Sequence, residues 1–305
     1  MLLERSNDTD RLAGAPISWG VCEVPGWGRQ LDAERVFGEM ASLGLRATEL
    51  GPIGYLPFDA AAIRERLDRH GLTLVGGFVP VVLHEPGLDT AQADEIAAVL
   101  AAAGADMFVA AAVNDLAWSP RAEMDTDAWR RLGRHLGELE RRVGEHGLTL
   151  ALHPHAGTQI ETAADVEHAL AVSDAGWCLD TGHLLIGGAD PAEFVRANGD
   201  RIVHAHLKDV DAGIAQRLRA GELTLVAATQ AGLFRPLGQG DARIDEVVDL
   251  LDKAGYKRWL VLEQDTAITG EEPPVGRGPV SDVRTSIDYL HSLAPKPESA
   301  ERVGG

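Results

Sequence analysis

Eight short apolar runs, at 16–20, 46–50, 72–79, 106–111, 148–153, 177–180, 202–207 and 259–263, alternate with longer amphipathic segments. No other feature constrains the fold as much. The short runs have the length and composition of buried strands. The longer ones, at 32–43, 60–70, 89–103, 126–146, 191–198, 244–254 and 280–293, repeat apolar residues every three or four positions, as helices with one buried face do. Crossovers of this length cannot form hairpins, so successive strands run parallel. Eight strands, seven of them followed by such a helical segment, predict an α/β fold, the (β/α)8 TIM barrel.

The punctuation agrees. Gly44, Gly71, Gly147 and Gly255 each fall between a helical segment and the next strand, where a left-handed residue turns the chain. Asp32, Asp59 and Asp125 stand where helix N-caps belong. Of 305 residues, 45% are apolar, ample for one large core. The expected organisation is an N-terminal extension at 1–15, one barrel over 16–294, and a flexible tail at 295–305. The segment 208–241 after strand seven is too long for an idle loop and is a candidate lid or substrate wall.

Charge and composition exclude several classes of partner. Lys and Arg number 28 against 47 Asp and Glu, a net charge of −19, which argues against nucleic acid and anionic membranes. No apolar run reaches the roughly 18–20 residues that span a bilayer. The start of the chain lacks a basic region followed by an apolar one, so a cytoplasmic protein is expected. Cys22 and Cys178 lie in apolar contexts and read as small hydrophobes. A small-molecule partner is expected, and homo-oligomerisation is compatible with the fold.

The chemistry gathers at the C-terminal ends of the expected strands, the rim where barrels of this kind build active sites. His153 ends strand five, Asp180 strand six, His206 strand seven and Glu263 strand eight. Ionisable groups ending apolar strands are costly to bury without a partner. A mixed imidazole–carboxylate set suits Mn, Co, Fe, Zn or Ni better than Ca. His204, His206 and Lys208 share one strand face by their spacing of two. His155 has the same spacing from His153, with Pro154 between, and is an alternative fourth ligand.

The chain resembles the xylose isomerase-like barrel superfamily and, within it, the inosose dehydratases. The resemblance is carried by ALHPHAGTQIET, CLDTGHLLIGGADP, GDRIVHAHLKDV, GLFRPLGQGD and KRWLVLEQD, with PISWG and ATELGPIGYLP at the first two strand ends. It implies metal ligands at Asp180, His206 and Glu263. The fourth, on strand five, is usually a glutamate, and His153 stands there. The ketose epimerases of the superfamily resemble one another in using two metal-bound glutamates on strands five and eight, so His153 favours elimination over epimerisation.

The implied activity is that of a hydro-lyase: divalent-metal-dependent dehydration of a cyclic keto-polyol such as an inosose, through a metal-stabilised enolate. One divalent ion is implied, Mn or Co favoured, with Mg, Fe, Zn or Ni as alternatives. The alternative activity is a ketose or keto-sugar isomerase or epimerase on the same site. His155, His183 and Lys208 are the acid–base candidates, Lys208 through a pKa depressed by the cation. Trp19, Glu49 and Arg235 are candidate substrate contacts, with Phe234 beside Arg235. A dehydroshikimate-like acid would need Arg235 as its carboxylate clamp, and a non-catalytic sugar binder would need no such rim.

Overall fold

In the computed structural model, residues 11–293 are described. The strands are β1 Leu12–Gly14, β2 Ala47–Thr48, β3 Thr73–Leu74, β4 Gly76–Val81, β5 Met107–Ala112, β6 Thr149–Leu152, β7 Trp177–Asp180, β8 Ile202–Leu207, β9 Asp209–Val210, β10 Phe234–Arg235 and β11 Leu260–Leu262. The helices are α1 Ala33–Ser42, α2 Ala60–Asp68, α3 Ala91–Ala103, α4 Thr126–Glu145, α5 Ala163–Val172, α6 Thr181–Ile186, α7 Pro191–Asn198, α8 Ala212–Arg219, α9 Leu225–Gln230, α10 Ile244–Lys253 and α11 Pro279–Leu293.

Nine strands form one sheet in the order β3-β2-β1-β11-β8-β7-β6-β5-β4. Every pairing within it is parallel. β3 and β4 lie at opposite ends of that order, yet only Val75 separates them in the chain. The Val75 amide donates to Thr48 O, and its carbonyl accepts from the Asp106 and Met107 amides. That residue therefore joins both ends of the sheet, and β3 with β4 makes a single stave. The nine strands close as an eight-staved barrel.

The expected punctuation is present. Asp32, Asp59 and Asp125 each accept a backbone N–H of the first helical turn. Gly44, Gly71, Gly147 and Gly255 all have positive φ. Inside the barrel, Ala13, Ala47, Val75, Met107, Val109, Ala151, Cys178 and Val261 pack as a floor of mostly small side chains. The larger apolar side chains fill the space between barrel and helices. Among the described residues no helix is long and apolar enough to cross a membrane.

Two expectations need correction. The first strand is Leu12–Gly14, not 16–20; Pro16–Trp19 forms a 3-10 turn closed by Gly20 at φ 81°. Pro16 has no N–H to give a ladder, so the chain leaves the sheet there. The extension expected at 1–15 thus overlaps β1, while residues 1–10 and the tail at 295–305 lie outside the described residues. The segment 208–241 is also not a bare loop. It holds β9, α8, α9 and β10, with β9 and β10 paired antiparallel.

Asp209, 1% exposed, ties this segment down. Its Oδ2 accepts from the Gly238 and Gly240 amides at 2.9 and 3.0 Å, and its Oδ1 from Ala242 at 3.0 Å. A Cβ on Gly240 would stand 2.4 Å from Asp209 Oδ1, so the glycine lets the loop close on the carboxylate. Asp209→Ala would strand the buried Ala242 amide, at a cost of about 1–3 kcal/mol, and free the part-buried Gly238 and Gly240 amides to water. Chemical denaturation of the variant is expected to show a loss of about 1–3 kcal/mol.

Candidate active site

The rim residues are held by ladder-type hydrogen bonds that continue past the strands. The Glu49 amide donates to Gly14 O, His153 to Ala110 O and Glu263 to Leu207 O. Asp180 stands opposite His206 in the β7–β8 register. The side chains of His153, Asp180, His206 and Glu263 consequently converge, each offering one donor atom, all within 4.8 Å of one another. His153, Asp180 and His206 are at most 1% exposed.

The inner distances fit a shared cation. His153 Nε2 lies 3.1 Å from His206 Nδ1, and His206 Nδ1 lies 3.0 Å from Glu263 Oε2. Asp180 divides its carboxylate. Oδ1 caps α6 by accepting the His183 amide at 2.7 Å. Oδ2 is buried with no hydrogen-bond partner, facing His153 Nε2 and His206 Nδ1 at 3.4 Å each. The His206 Nε2–H donates to Glu49 Oε1 at 3.0 Å, which turns Nδ1 toward the group. A buried carboxylate oxygen without a donor, beside two imidazole nitrogens in contact, is the donor set a divalent transition metal takes.

Lys208 adjoins the group. Its Nζ is 2.7 Å from Asp265 Oδ1, 2.9 Å from Glu263 Oε2, 3.5 Å from Asp180 Oδ2 and 3.2 Å from His183 Nε2. Burial alone would lower its pKa, but Asp180, Asp265 and Glu263 outweigh that and hold it well above the ordinary value. Among these carboxylates Lys208 is an ammonium. For Asp180 burial acts upward, yet Lys208 and the neighbouring histidines hold the carboxyl well below its usual range. Glu263 is lowered to about 2, burial being outweighed by His206 and Lys208. Gly182 in the DTGH motif makes room for the lysine: a Cβ there would stand 2.6 Å from Lys208 Cγ.

His155 lies on the wall of the adjoining cavity. Its Nδ1–H donates to Ala156 O at 2.8 Å, which leaves the Nε2 lone pair free. Burial, reinforced by His153 and Lys208, lowers its pKa to about 3, so the ring is neutral. His183 packs against it with ring centroids 3.9 Å apart, accepts the Ala156 amide at Nδ1, and does not line the cavity.

Of the three expected substrate contacts, Glu49 lines the cavity and the other two do not. Trp19 is fully buried with its Nε1–H donating to Glu39 Oε2 at 2.8 Å, because the 3-10 turn carries it toward α1 and off the cavity wall. Arg235 pairs with Asp211 at 3.1 Å on the β9–β10 hairpin and does not line the cavity. Its neighbour Phe234 does reach the site region, with Lys208 Nζ 5.3 Å from its ring centroid. Glu49 touches the cavity, but its Oε1 accepts from both His204 Nε2, at 2.7 Å, and His206 Nε2. Its main work is orienting His206. Glu49→Gln would turn that acceptor into an ambiguous amide, and metal titration of the variant is expected to show affinity weakened about 10–100-fold.

Sequence reasoning passed over Asp265, Phe78, Trp118 and Trp27, all on the cavity wall. Asp265 follows Glu263 by two residues, the same face-sharing spacing that marked His206 and Lys208. The loop aromatics carried no such signal.

Comparison with known proteins accords with this geometry. A model of the xylose isomerase-like TIM barrel family matches residues 37–293. The rhizopine catabolism protein MocC of Rhizobium meliloti is 32% identical over 296 residues, covering 93% of this chain and 88% of that protein. An inosose dehydratase of Geobacillus kaustophilus is 28% identical over 308 residues, covering 95% and 97%. Among solved structures, an L-ribulose 3-epimerase matches with a TM-score of 0.66 at 16% identity, covering 93% of this chain and 94% of that one. The IOLI protein, solved with a binding zinc atom, matches with 0.64 at 16% identity, covering 93% and 98%. At such identities the two structures speak for the fold alone. On the family match, and on a relative 32% identical along nearly its whole length, the chain belongs to the xylose isomerase-like TIM barrels.

Proposed function

We propose that the protein is a divalent-metal-dependent hydro-lyase that dehydrates an inosose or a similar cyclic keto-polyol. The observation that carries this is the pairing of four convergent donors, His153, Asp180, His206 and Glu263, with a neutral His155 on the cavity wall. Its inosose dehydratase relatives support the reading. A bound divalent cation supplies Lewis acidity toward a ketone oxygen and a template for the neighbouring hydroxyl, and Mn or Co suits this donor set.

The chain's own residues then divide the proton work. His155 Nε2 is the base that takes the proton next to the ketone. Lys208, an ammonium among three carboxylates, gives a proton to the departing hydroxyl on the adjacent carbon. Water leaves, and the enol that remains tautomerises to a diketone. Asp265 and Glu263 hold the lysine in place for this transfer. Epimerisation requires bases on both faces of the substrate. The strand-five place of one such base is taken by His153, whose Nε2 faces into the metal group.

The test is turnover of scyllo-inosose by manganese- or cobalt-loaded protein. Loss of water with a diketone product is the expected outcome. Exchange of a substrate proton with solvent and no loss of water would assign an epimerase instead. No reaction across a series of cyclic keto-polyols would sink the substrate assignment.

A further inference from the structure

We infer that the substrate is a cyclic keto-polyol bearing an alkyl or aryl substituent on one of its hydroxyl oxygens, seated in the carbon-lined part of the cavity. This deepens the proposed function and rests on it. The first observation is size. The cavity measures about 620 Å³, within the range of about 300–1,000 Å³ that takes drug-sized ligands. A bare inosose, six carbons with six oxygens, leaves much of that space unfilled.

The second observation is the chemistry of the wall. Its hydrogen-bonding groups cluster at the metal end in His153, His155, Lys208, Glu263 and Asp265. They are enough to address a ketone and its neighbouring hydroxyls. Elsewhere the wall is built from Phe78, Trp118, Trp27, Val24, Pro52 and Leu225, relieved by Glu23, Ser119 and Thr224. The Trp27 indole N–H is already engaged by Thr266 O at 2.8 Å. Hydroxyls pressed against such a surface lose water and gain no partner. An alkyl or aryl group gains by the same burial.

The third observation concerns Trp118. Its φ of 58° is left-handed, a region that residues other than glycine rarely occupy. The conformation is held from below: Asp115 Oδ1 accepts the Ala117 and Ser119 amides at 2.9 and 3.1 Å. The indole stacks on Phe78, with centroids 6.1 Å apart and planes 11° from parallel, and both rings adjoin His155. Backbone strain that presents a side chain to a cavity is a mark of functional placement. A flat aromatic wall next to the reacting end is suited to an apolar substituent.

The test compares kcat/KM of the manganese-loaded protein for scyllo-inosose and for its O-methyl and O-benzyl ethers. The benzyl ether is expected to exceed the parent by about 10–200-fold, the range one apolar group commands in an apolar pocket. A parent used equally well or better would overturn the inference. Should no ketone react, the functional reading falls, and calorimetry still decides this one: an O-benzyl inositol must bind at least about tenfold tighter than inositol. Equal dissociation constants would overturn it. Trp118→Ala is expected to bring the ratio of the two constants toward one, and Trp118→Phe to keep most of it. A ratio indifferent to both changes would refute the aromatic wall.

Discussion

Exchange of His155 for alanine is expected to lower kcat by about 10²–10⁴-fold, the usual worth of a positioned general base, while metal content stays stoichiometric. The companion variant His153→Ala is expected to do the reverse at the metal, which should be lost on dialysis. The two histidines are two residues apart, and spacing alone does not separate their roles. Hydrogen bonding does. His153 Nε2 faces His206 Nδ1 and Asp180 Oδ2, inside the group of four donors. His155 directs its Nδ1–H to Ala156 O and stands on the cavity wall among Phe78 and Trp118. KM for the ketone should change little in His155→Ala if the ring acts only in the transition state, since such a loss appears in kcat and kcat/KM together. Metal analysis and steady-state rates on the same preparations check both halves. Loss of the metal from His155→Ala would exchange the assignments.

Much of the barrel was legible because its strands end in residues that contradict their own apolar character. The β7 and β8 runs were bounded in the sequence at the limits the structure shows, β7 ending at Asp180, which caps α6, and β8 just before Lys208. β1 was not, because Leu-Ala-Gly is short and small, and the bulkier Pro-Ile-Ser-Trp beside it looked more like a strand. α5 escaped notice for a similar reason: its buried positions include small Ala169 and polar Asp165, so it carries little apolar contrast.

The same physics divides the site. Each of the four donors could be read as an ionisable group terminating an apolar run. Glu49 could be found by that logic, but not its attachment to two histidines of β8, which depends on how distant strands pair. Trp19 was misplaced because a rim position assumes a regular strand, and the chain leaves the sheet at Pro16; Arg235, in the long segment, turns to Asp211 on the β9–β10 hairpin. Trp118 depends on a left-handed backbone in a loop, for which Leu-Ala-Trp-Ser offers no local signature.

Asp180→Asn is expected to abolish metal-dependent turnover and yet leave the barrel folded, because the two oxygens of Asp180 do separate jobs. Asparagine keeps a side-chain oxygen for the His183 amide and so retains the α6 cap. It cannot replace the second oxygen, which is buried without a hydrogen-bond partner and faces the other donors. Losing an anionic donor from the group itself should weaken metal binding by more than the about 10–100-fold typical of an outer-shell change. The charge balance makes the result visible without an activity assay. Asp180, Glu263 and Asp265 surround one Lys208, so the metal-free site carries excess negative charge in a buried place. A divalent cation relieves that excess in the native chain and should stabilise it by about 2.7 kcal/mol at a free concentration 100 times its dissociation constant. Thermal melts with and without manganese should therefore separate widely for the native chain and coincide for Asp180→Asn. The variant's metal-free melt should stay close to the native metal-free one, since Lys208 keeps Glu263 and Asp265. A variant that still melts higher with manganese would show that Asp180 is not a ligand.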